Sequence, residues 1–134
     1  MKKCISSLLF ACVGATLISC GGDGDSATSS SPSGTFTATG MMSSPRSMPT
    51  ANLLTDGRVL VAGGVGSGAI AVASADLYDP ASRTFSATGS MSNPRYAAAS
   101  VRLSDGRIFV AGGEGISGTG INSSEIYKDR KSVV

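Results

Sequence analysis

A block of 49 residues occurs twice in this chain without a gap, and nothing else in the sequence limits the fold as much. Thr35-Phe36-Thr37-Ala38-Thr39-Gly40 matches Thr84-Phe85-Ser86-Ala87-Thr88-Gly89, and Met42-Ser43-Ser44-Pro45-Arg46 matches Met91-Ser92-Asn93-Pro94-Arg95. The run Asp56 to Gly64 matches Asp105 to Gly113, and Ser74 to Tyr78 matches Ser123 to Tyr127, always at the offset 85 − 36 = 49. Sequence repeats of about this size build arrays in which each unit hides its apolar face only against a neighbour.

Within the block, Asp56-Gly57 and Asp105-Gly106 lie between apolar runs, which is a strong hairpin signal. The run before each turn predicts a strand a at 47–54 and 96–103, and the run after it a strand b at 58–62 and 107–111. Strand b is apolar at successive positions, the pattern of a strand with both faces covered. Strand c is expected at 73–78 and 122–127. Strand d is expected at 84–88, with an earlier copy at 35–39. Glycine follows strand b in pairs, Gly63-Gly64 and Gly112-Gly113, where backbone must approach closely or take a positive φ. Strand a is rich in small side chains (Ala97, Ala98, Ala99, Ser100), suited to a crowded inner edge. Pro49 falls in its first copy, so one edge of that strand must be unpaired.

A period near 50 with a double glycine and a downstream tyrosine resembles the kelch repeat, a four-stranded blade of a β-propeller. The resemblance implies an all-β fold of about two four-stranded blades of an incomplete propeller. Kelch repeats of the eukaryotic pattern carry tryptophan in strand d, where this chain has Phe36 and Phe85; phenylalanine fills an apolar slot but donates no hydrogen bond. Arg46 and Arg95 recur, as do Tyr78 and Tyr127. Recurrence in both copies assigns these residues, with Gly63, Gly64, Gly112 and Gly113, to structural duties, since a site normally breaks a repeat's symmetry.

The first residues read as an address. Lys2 and Lys3 precede an apolar or small run from Ile5 to Ile18, the form of a secretory signal peptide. That run is shorter than the ~20 residues a spanning helix needs. Leu17-Ile18-Ser19-Cys20 resembles the lipobox of bacterial lipoproteins, which implies a signal peptide over 1–19, lipid on Cys20 and a place in the cell envelope, outside the cytoplasm, anchored to a membrane. Cys4 and Cys12 would leave with the signal, so the mature domain has no free thiol. Residues 20–34 hold no large apolar side chain and are expected to form a flexible linker. Asp23 and Asp25 lack the further oxygen ligands of a known calcium loop.

Composition removes several function classes. The net charge of +2 comes from Lys2 and Lys3; from Cys20 onward 11 − 2 = 9 basic residues face 9 acidic ones. With no basic stripe and no aromatic ladder, nucleic-acid binding has no support. There is no histidine, the commonest general base and transition-metal ligand. Val65-Gly66-Ser67-Gly68 leads toward a strand, not toward the helix a phosphate-binding loop requires. No cofactor, catalytic or metal-binding group is expected in this chain.

Eight strands amount to about two blades, and propellers have four to eight. After Tyr127 the repeat calls for a continuation like residues 79–85, whereas the chain reads Lys128-Asp129-Arg130-Lys131-Ser132-Val133-Val134. The last six residues look like a translated sequencing adapter. The chain is therefore expected to be a fragment, with residues 35–127 as the native repeats and 128–134 as a non-native tail. The expected function is that of a scaffold binding a protein or carbohydrate. The alternative is a fragment of a galactose oxidase-like enzyme. That copper chemistry needs histidine ligands, so its catalytic residues would lie in missing blades.

Overall fold

Each copy reverses direction at its Asp-Gly pair for local reasons. Leu54 N–H donates to the Arg58 carbonyl at 2.8 Å, and Gly57 N–H donates back to Leu54 at 3.2 Å. The Asp56 carboxylate accepts from the Arg58 backbone N–H at 3.1 Å and from its Nε at 2.7 Å. The second copy repeats the arrangement, with Leu103 bonded to Arg107 at 2.8 Å and Asp105 receiving the same two donors at 3.1 and 2.6 Å. Aspartate suits this place because its short side chain can bond a backbone N–H two residues on.

The computed structural model describes residues 34–130. The expected signal peptide, Cys20 and the linker up to residue 33 lie outside the described residues, as do the last four. The chain divides into compact units at Phe36/Thr37. Of the first, only residues 34–36 are described, and they are exposed and without strand. The second unit holds β1 (Thr50–Leu53), β2 (Val59–Ala62), a 3-10 turn at Ser67–Ala69, β3 (Ala75–Asp79), β4 (Thr84–Ala87), β5 (Ala99–Arg102), β6 (Ile108–Ala111) and β7 (Ser124–Tyr127). The strands form two antiparallel sheets, ordered β1-β2-β3-β4 and β5-β6-β7. Among the described residues there is no α-helix and no closed barrel, and the fold is all-β.

Three expectations need correction. The earlier copy of strand d, 35–39, forms no strand. Its counterpart β4 exists because it lies on an edge of β3, and β3 is bonded on both sides, by β2 and β4. Strand a is interrupted in both copies. Ser47 and Tyr96 make single bridges to Val65 and Glu114, then Met48 and Ala97 take left-handed backbone at φ 50 and 49°, and pairing resumes at Thr50 and Ala99. Pro49 therefore precedes the strand, and its missing N–H removes no rung of the ladder. Finally, strand b is fully buried on one face and only half-buried on the other. Leu60 and Ala62 are buried where Val59 and Val61 are half-buried, and in β6 Ile108 and Val110 are buried where Phe109 and Ala111 are half-buried.

That alternation defines the core. One face of the first sheet (Leu54, Leu60, Ala62, Ala75, Leu77) packs against the opposite face of the second (Ile108, Val110, with Met91, Ala98 and Tyr127 at its margin). Leu60 is 1% exposed and Ile108 fully buried, and such side chains each contribute about 1.5–3 kcal/mol. The first strands of the two sheets adjoin, with Asn52 Nδ2 donating to Ser100 Oγ at 2.7 Å.

Candidate functional site

Arg46 and Arg95 do the same work in their own copies. Arg46 Nη1 donates to the carbonyls of Ser74 at 2.7 Å and Gly63 at 3.3 Å, and Nη2 reaches Ser44 Oγ, Ser74 Oγ and Asp76 Oδ2. Arg95 Nη1 donates to Ser123 at 2.8 Å and Gly112 at 3.0 Å, and Nη2 to Ser123 Oγ and Glu125 Oε1. Each guanidinium thus ties the end of strand b to the start of strand c and neutralises a carboxylate there. The pairs measure 2.9 Å (Arg46–Asp76) and 3.0 Å (Arg95–Glu125). Asp76, Glu125, Ser74 and Ser123 were not singled out in the sequence. The signal was available, because an acid stands 30 residues after the arginine in both copies.

The glycine pair forms the joint between copies. Gly64 N–H donates to the carbonyl of Arg95 at 2.9 Å. A Cβ on Gly63 would stand 2.4 Å from that same oxygen, and Gly63 and Gly64 take φ of 66 and 103°. Only glycine admits that approach in that conformation. Gly112 and Gly113 have the same backbone, at φ 64 and 85°.

The tyrosines are divided. Tyr78 lies opposite Phe85 in the β3–β4 ladder, with ring centroids 4.9 Å apart. Tyr127 packs on the core between the sheets and shares a 2.9 Å hydrogen bond with Thr88 Oγ1. It borders a shallow groove lined also by Leu60, Met91, Val110, Glu125 and Ile126.

The surface where the copies differ is elsewhere. All seven residues at 67–73 differ from their counterparts at 116–122, and so do all but one of those at 47–54 against 96–103. Bridges bring the two stretches together, Ser47 to Val65 to Ala71 in one copy and Tyr96 to Glu114 to Gly120 in the other. Met48, Ile70 and Ile116 are more than half exposed there. The Tyr96 hydroxyl donates to Glu114 Oε2, and that bond to a carboxylate holds the phenol above its ordinary range. This end of the sheets, apolar at its tips and carrying one phenol–carboxylate pair, can stack and hydrogen-bond a ligand. Among the described residues no three acidic or other metal-ligating side chains converge. Cys20, the expected lipid site, lies outside the described residues. Compared with known proteins, the chain matches no family model and no curated protein.

Proposed function

We propose that this chain is a segment of a kelch-type β-propeller, lipid-anchored through Cys20 outside the cytoplasm, that serves as a scaffold binding a protein or glycan partner. One observation carries the binding role: residues 67–73 and 116–122 share no identity at equivalent positions, while the turns and arginine clamps around them are copied. Loops on a repeated scaffold are where recognition is placed, because they can vary without disturbing the core. The exposed side chains of Ile70 and Ile116 supply apolar contact, and the Tyr96 ring with the Glu114 carboxylate supplies a polar one. The lipobox-like LISC and the short apolar run before it support the anchor.

The test is a glycan and peptide array probed with the full chain in detergent. Ile70→Asp with Ile116→Asp should weaken binding at least tenfold, whereas Ser82→Asp, at the opposite turn, should leave it unchanged. A blank array, or binding indifferent to the loop changes, overturns the reading. Labelled palmitate tests the anchor separately: label retained in Cys20→Ala refutes that assignment.

A further inference from the structure

Tyr96 and Glu114 hold each other in place. Each backbone N–H donates to the other's carbonyl, both at 3.0 Å, and Ala97 N–H donates to Met48 O at 3.2 Å. Across that bridge the phenol donates to Glu114 Oε2. With its proton given away, the pair is left with acceptors only. These are the lone pairs of the phenolic oxygen and Glu114 Oε1, which bonds nothing among the described residues. Glu114 is exposed and Tyr96 half-buried. The turn beyond them is closed by Gly115 N–H to Thr119 O at 2.9 Å and Gly118 N–H to Gly115 O at 3.0 Å. A Cβ on Gly118 would stand 3.9 Å from Tyr96 Oη and 4.0 Å from Glu114 Oε2, so glycine there leaves both oxygens uncovered.

The first copy keeps the backbone and lacks the chemistry. Ser47 and Val65 make the same bridge, but they stand where the second copy has Tyr96 and Glu114, and Ala69 replaces Gly118. Since the bridge forms with either set of side chains, the fold does not require the phenol and the carboxylate.

We propose that Tyr96 and Glu114 bind a neutral sugar, an inference that rests on the loop end of the sheets being the ligand-binding end. Adjacent hydroxyls of a pyranose donate to the phenolic oxygen and to Glu114 Oε1, while the sugar's C–H groups pack on the phenol ring. The exposed hydroxyls of Ser117 and Thr119 lie on the same turn and can donate as well as accept. Charge selects among ligands. Over residues 96–101 and 111–124, Glu114 is the only charged side chain. It repels a sugar acid, and a lone exposed carboxylate gives a basic peptide little, because such an ion pair is screened and must immobilise two side chains. The backbone beneath the pair is already fixed by its own hydrogen bonds, so binding has little left to order.

Saturation-transfer NMR on the full chain, in a detergent without a sugar headgroup, tests the site. The probes are methyl glucoside, methyl galactoside, methyl mannoside, glucuronate and a lysine-containing tetrapeptide. Transfer is expected to neutral glycosides and not to glucuronate or the peptide. Tyr96→Ala should abolish it. Tyr96→Phe, which keeps the ring, and Glu114→Gln, which keeps the shape, should each weaken binding several-fold, whereas Ser47→Ala in the first copy should change nothing. No transfer to any glycoside, transfer to the peptide alone, or transfer unaltered in Tyr96→Phe and Glu114→Gln overturns the proposal. If the array still reports a ligand that Ile70→Asp with Ile116→Asp releases, the scaffold reading survives that failure. A blank array with no transfer removes both.

Discussion

The guanidinium of Arg46 and the carboxylate of Asp76 meet at 2.9 Å with both side chains sealed from solvent. A buried pair of this kind adds little net stability, because desolvation offsets most of its attraction. Removing one partner is different, as it strands a charge in the interior. Arg46→Met should therefore destabilise the chain by about 3–5 kcal/mol in urea unfolding. The double variant Arg46→Met/Asp76→Leu should recover a substantial part of that loss. A double variant no better than the single would show that the guanidinium's bonds to Ser74 and Gly63, and not the charge, are what matters.

Acid should loosen the second sheet. Burial on its own raises the Glu125 carboxyl, but the N–H groups of Ser92 and Asn93 and the guanidinium of Arg95 outweigh it, leaving the group below the ordinary glutamate range. A folded value below the unfolded one means the ionised form favours the fold. That contribution is complete above the unfolded value and disappears as pH falls through the folded one. Thermal melts between about pH 6 and pH 3 should show the loss. Glu125→Gln should flatten the slope while lowering stability at neutral pH.

Alanine at Gly63 and at Gly112 should separate steric cost from backbone strain. Both positions have nearly the same φ, 66 and 64°, so both variants bear the same strain. A Cβ on Gly63 meets the Arg95 carbonyl at 2.4 Å and Met91 Cε at 2.9 Å, whereas on Gly112 its nearest neighbour is Ile121 O at 3.6 Å. Gly63→Ala should cost about 1–3 kcal/mol more than Gly112→Ala. Equal losses in denaturant titration would place the joint elsewhere.

Tyr127→Phe should cost about 1 kcal/mol, the worth of a single hydrogen bond. Thr88→Val should cost the same, and the pair together no more than either, because one bond links them.

The parts of this fold that could be read in the sequence are those set by neighbours along the chain. An Asp-Gly turn between apolar runs specifies a hairpin locally, and the β1–β2 and β5–β6 hairpins stand where it placed them. The glycine pairs and recurring arginines were visible because both copies carry them. What distant contacts decide was not visible. Met48 and Ala97 are ordinary residues for a strand, yet both take left-handed backbone where the chain passes Gly64 and Gly113. Thr35 to Thr39 has the composition of a strand and still forms none, since pairing is decided by distant partners that composition does not report. Apolar succession in β2 indicated cover on both sides, but composition cannot report which side a neighbour occupies.

Arg95, in the connection between β4 and β5, bonds toward both sheets, its carbonyl receiving Gly64 N–H while its side chain holds Gly112 and Ser123. A gene segment coding for this unit consequently encodes a plug and a socket on one piece of DNA.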